Sequence, residues 1–338
     1  MKEISIVIPV YNEEFFISNT LESISQINYP KGSYEVIVVT DGCTDGTVAN
    51  VKKFPFVRLI ELENNVGRYA ARLTGAKEAI YPNIIFIDSR TRVDPNILSA
   101  IDQANAKVIQ GVQFNLQTPG LFEAFYDSVR RKVFAKYYNN RSQILELNKD
   151  NFDSLPKGTN VFFVQKDILF QAYSELDGID MSGDSSDDTK LIKTIVAITP
   201  IIIHPDVRIQ YFYRKSFWAN VHHLYGFNAT SFVDYYMHPS QKYFWLVIVL
   251  PLLGLLGILA GLIFVPIPFV FKTIVLIGMD VAISIFLSKS LRGFFIILLM
   301  LPLSVCIFYT GIVRGIFIKF KKSLLKKPQK FLEADGAG

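Results

Sequence analysis

The sequence predicts an α/β domain built on an open, mostly parallel sheet, followed by an interfacial helix and an α-helical transmembrane region. Three observations carry this expectation. Short apolar runs alternate with helix-patterned segments up to about residue 214, the rhythm of an open α/β sheet. The first two runs, 4–10 and 36–40, end abruptly in polar residues, as buried parallel strands do at the carboxyl edge of a sheet. From residue 243 to 313 charges become sparse while Leu, Ile, Val and Phe dominate. The chain has 338 residues, 50% of them hydrophobic, and a mean hydropathy of +0.29, too apolar for an ordinary soluble enzyme. The expected organisation is therefore an α/β domain over 1–214, an interfacial amphipathic segment over 215–242, two or three membrane helices over 243–315, and a basic tail over 316–338.

Taken in order, strands are expected at 4–10, 36–40, 57–61, 84–88 and 107–113, and helices at 14–26, 44–53, 68–80 and 94–104. Ligands of such sheets bind at the strands' carboxyl edge. The loop after the first strand offers Pro9, Tyr11 and Glu13, and the loop after the second offers Asp41 and Asp45 among glycines. A dinucleotide-binding sheet is excluded at the first turn, where a Gly-rich phosphate loop is required and Pro-Val-Tyr-Asn-Glu-Glu stands instead.

Beyond the domain, 216–236 carries Phe217, Trp218, Val221, Leu224, Tyr225, Phe227 and Phe232 with His222, His223 and Asn228, the mix of an interfacial helix at headgroup level. Adjacent residues on a helix point apart, so His222 and His223 cannot jointly chelate a metal. Segments 246–265 and 293–313 are long and apolar enough to span a bilayer, the second despite Pro302. Between them 273–287 is shorter and carries Asp280, which leaves a third crossing or a re-entrant piece open. Arg214 and Lys215 before the first span and the lysines after the last ask for the cytoplasm, as do Lys289 and Arg292, so the number of crossings stays open. No apolar leader precedes the first strand, so the domain is expected in the cytoplasm. Two cysteines, Cys43 and Cys306, argue against disulfides. The net charge of +5 gathers in lysines of the last twenty residues beside Ile316, Phe317 and Phe320. It reads as a basic tail, solvated or laid on an anionic leaflet, rather than as a nucleic-acid surface.

Six segments share a further property. SIVIPVYNEE (5–14), EVIVVTDGCTDGT (35–47), NNVGRYAARLTGA (64–76), IIFIDSRTRVDP (84–95), GTNVFF (158–163) and DDTKL (187–191) resemble, in order, the motifs of the inverting glycosyltransferases of family 2, which have the GT-A fold. The resemblance implies a nucleotide-diphosphate sugar as donor, a UDP-sugar first, bound by Pro9, Tyr11, Glu13, Asp41, Arg68, Asp88 and Arg90. It also implies that Asp188, paired with Asp187, is the general base that takes a proton from the attacking hydroxyl. Two neighbouring carboxylates raise each other's proton affinity, which suits a base near neutrality.

The chain departs from its relatives at the metal motif. Where the family has Asp-x-Asp, Asp88-Ser89-Arg90 stands. Asp88 is still a candidate ligand for Mg²⁺ or Mn²⁺, but a guanidinium offers only donors. Three readings follow: an active enzyme with a metal held by Asp88 and substrate, an active enzyme in which Arg90 meets the leaving diphosphate, and a non-catalytic domain that binds sugar nucleotide or glycan. Residues 208–218, RIQYFYRKSFW, are similar to the Gln-x-x-Arg-Trp acceptor motif of processive synthases but spaced differently, which makes Arg214 and Trp218 candidates for acceptor or phosphate. A membrane-seated transferase implies a lipid-linked acceptor. A sugar hydroxyl needs a base, and the acidic pair leans that way; a polyprenyl phosphate is already anionic and is the alternative.

Overall fold

The computed structural model describes residues 1–114, 120–179, 181, 186–213, 216–236, 244–249, 253, 256, 269–288 and 290–324. Arg214, most of 246–265 and the tail after residue 324 lie outside the described residues.

One mixed sheet organises the domain. Its strands are β1 (Ile4–Val10), β2 (Tyr34–Asp41), β3 (Val57–Leu62), β4 (Asn83–Ile87), β5 (Thr91–Val93), β6 (Val108–Phe114), β7 (Leu145–Leu147), β8 (Val161–Gln165) and β9 (Ile201–Tyr211). They run in the order β3-β2-β1-β4-β8-β6-β9-β5, with β7 on β9. The first four are parallel, as the alternating pattern predicts. Beyond them the sheet is mixed, because β8 enters antiparallel to both β4 and β6 while β6 and β9 pair in parallel. That reversal has a consequence for the site. It lays the start of β8 beside the end of β4, Val161 opposite Ile87, so the two strands deliver residues to the same edge.

The helices of the domain are α1 (Ile17–Ser25), α2 (Thr47–Val51), α3 (Arg68–Glu78), α4 (Ile97–Ala104), α5 (Leu121–Val133), α6 (Ala135–Asn139), α7 (Lys166–Glu175) and α8 (Asp187–Ile198). Alternate side chains of β1 face opposite layers. Ile4, Ile6 and Ile8 pack with Ile17, Leu21, Ile97 and Ile101 of α1 and α4, and Val7 packs with Ala71, Leu169, Ile192 and Ile195 of α3, α7 and α8. Both faces of the central strands are covered, which is why they read as continuous apolar runs. Phe86, Phe162 and Phe163 are fully buried between the layers, each worth about 1.5–3 kcal/mol of burial.

After β9 the chain forms a helix over 217–236 whose middle, His223–Asn228, is π-helical. Two long helices follow among the described residues, Phe269–Leu287 and Leu291–Leu324. Of these, Leu291–Lys321 is long and apolar enough to cross a membrane, with a mean hydropathy of 2.4 over its most apolar window. It runs through Pro302 and past residue 316 without a break, so the boundary expected between span and tail is not a structural one. Helix α5 docks on it through Phe122, Phe125, Ile297 and Met300. The domain and the apolar helix thus share a packed seam.

Candidate functional site

The loops after β1 and β2 are stapled together before any ligand is considered. Asn12 takes a left-handed conformation (φ +51°), which Asn tolerates better than most residues, and its Oδ1 accepts from Thr44 N–H at 2.8 Å. Glu13 N–H donates to Thr47 Oγ1 at 2.8 Å, and Glu14 Oε2 accepts from Gly46 N–H at 2.9 Å. Asp45 accepts from Thr47 N–H at 3.0 Å in the first turn of α2, the helix-capping role open to an Asp there. Cys43 sits inside this turn, its Sγ 3.4 Å from Asn12 N, and burial pushes its thiol up; it is a small structural residue. Pro9 is buried within β1, whereas Tyr11 stands exposed at its end.

Asp41 ends β2 and is 3% exposed. Its Oδ1 accepts from Val66 N–H at 2.7 Å and its Oδ2 from Gly67 N–H at 3.0 Å. Burial raises its proton affinity and the two amides pull it back. Gly67, at φ +92°, makes the turn that launches α3 in a conformation costly for any residue with a Cβ. Asp41 therefore fixes where α3 begins.

Helix α3 then presents Arg68 and Arg72, four residues apart and on one face. Arg68 forks onto Asp187 with both Nε, at 2.8 Å, and Nη2. Arg72 is 3% exposed and bridges the site: Nη1 donates to Asp188 Oδ1 at 2.7 Å and Nη2 to Asp88 Oδ1 at 3.0 Å. Thr159, ahead of β8, donates its hydroxyl to the same Asp188 Oδ1 at 2.6 Å, and Asn160 O accepts from Asp88 N–H at 3.1 Å. Strand order, the antiparallel β8 and the face of α3 converge here.

The electrostatics correct one expectation. Burial acts to raise Asp188, but Arg68, Arg72 and the hydrogen bonds from Thr159 and Arg72 outweigh it and hold the carboxyl far below the usual carboxylate range. Asp187 is the member that burial, and then the charge of Asp188, push up. The neighbouring carboxylate thus does not leave Asp188 raised, because the charges of Arg68 and Arg72 outweigh it. Arg68, expected at the nucleotide, is engaged with Asp187 instead.

Arg90 does not share this network. Its Nε donates to Glu13 Oε1 at 2.5 Å, its guanidinium lies 4.8 Å from the Phe16 ring centroid, and its Nη1 is buried without a partner. Glu13, a candidate for the nucleotide sugar, is thereby paired. Among the described residues no group of three or more His, Cys, Asp or Glu converges on a point, Asp88 Oδ1 lies in the fork of Arg72, and Arg90 can only donate. This donor set does not fit a divalent cation held by protein ligands.

Asp88 and Asp188 border a common cavity of about 570 Å³; Asp41 does not line it. The far wall carries Tyr126 and Arg130 of α5, with Arg141 and Tyr213, and the helix over 217–236 contributes Asn220, His223 and Asn228. Trp218 is 70% exposed on that helix and is not among the lining residues. Residue-by-residue reading missed Arg72, Thr159 and the arginines of this wall. The available signal for Arg72 was its spacing of four from Arg68, a lone cation in an otherwise small and apolar run.

Comparison with known proteins bears on the fold of this domain. Residues 5–155 match the family described as glycosyl transferase family 2. Glycosyltransferase AglE of Haloferax volcanii is 33% identical over 37% of this chain and 44% of its own length, and the dodecaprenyl-phosphate galacturonate synthase of Rhizobium johnstonii is 30% identical over 36% of this chain and 38% of its own. The chain spans less than half the length of these curated relatives. A mannosyltransferase of Pyrobaculum calidifontis, PcManGT, solved with GDP-Man and Mn²⁺, superposes with a TM-score of 0.63 at 16% identity over 94% of this chain and 88% of that one, a likeness of fold. Residues 5–155 thus match glycosyl transferase family 2, within a domain that has the GT-A fold and is followed by an apolar helix long enough to span a membrane.

Proposed function

We propose that the protein transfers a sugar from a nucleotide-diphosphate sugar, a UDP-sugar first, to a lipid-linked acceptor at the cytoplasmic face of a membrane, with inversion at the anomeric carbon. The cavity carries this reading. Asp88 and Asp188 stand on one side of it, and its opposite wall is formed by α5 and the 217–236 helix, both packed on the long apolar helix. A donor at the strand ends and an acceptor held by lipid meet there. The direct test incubates purified protein in lipid vesicles with UDP- and GDP-sugars, with and without Mn²⁺, and measures released nucleotide and glycosylated lipid. Release from no donor in either condition abandons catalysis in favour of a non-catalytic sugar-nucleotide or glycan-binding role.

Transfer does not depend on a cation held by an acidic motif in this reading, since the carboxylate that would complete such a motif is Arg90. Turnover is expected to survive excess EDTA; a requirement for added Mn²⁺ or Mg²⁺ would restore the metal to Asp88 and the donor phosphates.

A specific observation favours a phosphate over a hydroxyl as the attacking group. A carboxyl held far below its ordinary range is a weak proton acceptor, and Asp188 is in that state. A polyprenyl phosphate brings its own negative charge and needs no base, and Arg130 and Arg141 on the far wall suit it. Asp188→Asn separates the two. Transfer to a sugar hydroxyl should fall by about 100-fold or more when its base is lost, whereas transfer to a phosphate should persist.

A further inference from the structure

The helix over 217–236 is gripped from two sides. On one side it lies against the long apolar helix so closely that a Cβ on Gly311 would stand 2.6 Å from Tyr225 O and Ala229 Cβ, and one on Gly315 would stand 3.2 Å from Thr230 Cα. A side chain at Gly311 would force the helices apart, and one at Gly315 would require its neighbours to yield by a few tenths of an ångström. Arg314, between them, donates to Gly226 O and Thr230 Oγ1, each at 3.2 Å. Seating on the apolar helix therefore fixes the 217–236 helix in place.

On its other side this helix holds the start of α8. Asp234 Oδ2 accepts from Ser186 N–H at 2.9 Å and Ser186 Oγ at 3.1 Å, and Lys190 Nζ lies 2.6 Å away. Ser186 immediately precedes α8 and makes no side-chain cap of its own. The first amides of a helix need acceptors, and a carboxylate beside them is stabilising. Asp187 and Asp188 occupy that first turn but are committed to Arg68 and Arg72, so the acceptor comes from another element. Phe227 of the same helix places its ring 4.4 Å from the Arg68 guanidinium. Both flanks of the acid pair thus rest on one helix.

We propose that Asp234 is a positioning residue for the Asp187–Asp188 pair, linking the seating of the 217–236 helix on the apolar helix to the geometry of the cavity. It rests on the transfer reading above but goes beyond it, since it makes the membrane-side helix part of the site.

The test uses full-length protein in lipid vesicles and two variants. Asp234→Asn keeps the side chain's shape and removes its charge; Ser186→Ala removes one hydrogen bond. Amide exchange over 186–191 should quicken by about tenfold in Asp234→Asn and less in Ser186→Ala, with β1–β4 unchanged, as expected for loss of a charge-assisted contact. With a sugar-hydroxyl acceptor the kcat should fall by about 10- to 100-fold, and with a phosphate acceptor by about two- to fivefold, the donor KM staying within about twofold in both, and Asp234→Glu should recover part of the loss, since small misplacements cost orientation rather than binding. Unchanged exchange over 186–191 in both variants, or quicker exchange with wild-type kcat, overturns the proposal. If wild-type protein releases nucleotide from no donor, the transfer reading fails by itself, and Asp234 as a positioning residue falls with it. Should Asp234→Asn not fold, Ser186→Ala decides by the same two readouts.

Discussion

The two sides of the cavity are built differently. On the donor side, β1, β2, β4 and α3 meet in a lattice of mutual pairs: Asp41 with the Val66 and Gly67 amides, Arg72 with Asp88 and Asp188, Glu13 with Arg90. On the far wall, Arg130 donates from its Nε to the carbonyl of Tyr126 at 3.4 Å and lines the cavity. One side has invested its charges in its own architecture, and the other presents charge to a ligand. Substitutions should therefore cost stability on the first side and affinity on the second.

The sharpest way to break that contrast is Arg72→Met. It strands two carboxylates whose side chains are 30% and 27% exposed, and should lower stability by about 3 kcal/mol, the low end for a broken buried pair because the carboxylates keep some water. Activity should fall with it; an unchanged unfolding midpoint in denaturant contradicts the lattice. Next, Asp41→Ala removes the acceptor of two loop amides and should cost about 2 kcal/mol, with faster amide exchange at Val66 and Gly67. A pH titration of stability follows. The folded-state pKa of Asp188 lies below its unfolded value, so its stabilisation is complete above about pH 4 and is lost as pH falls through the folded value. Melting temperatures measured downward from pH 5 should decline, and Asp188→Asn should flatten that decline. Smallest in stability is Arg130→Ala, expected to move unfolding by no more than about 0.5 kcal/mol while raising the KM for a phosphate-bearing acceptor by about tenfold. A large stability loss there would erase the distinction between the two walls.

The same contrast explains what could be read from the chain alone. Strands β1 to β4 and helices α1 to α4 fall close to their expected positions because each is encoded locally, by an apolar run or a helical period over a few residues. The donor-side loops were legible for the same reason. The state of Asp188 was not, because its partner Arg72 lies 116 residues away in sequence, and only the topology of α3, β4 and α8 brings them together. Nor was the direction of β8, whose apolar run VFFVQ looks alike whether it enters parallel or antiparallel. Arg90 was visible as a departure from Asp-x-Asp, yet its partner Glu13, on a different loop, needed three dimensions.

The glycine pair on the long apolar helix also sets a ruler. The 31 residues of Leu291–Lys321 rise about 46 Å at about 1.5 Å each, against about 30 Å of hydrocarbon. The helix is therefore longer than the hydrocarbon by about 16 Å, and it is packed by protein at two levels, by α5 at Ile297 and Met300 and by the 217–236 helix at Gly311 and Gly315. Tilting this helix would therefore carry α5 and the 217–236 helix with it, so two parts of the cavity lining would travel as one piece.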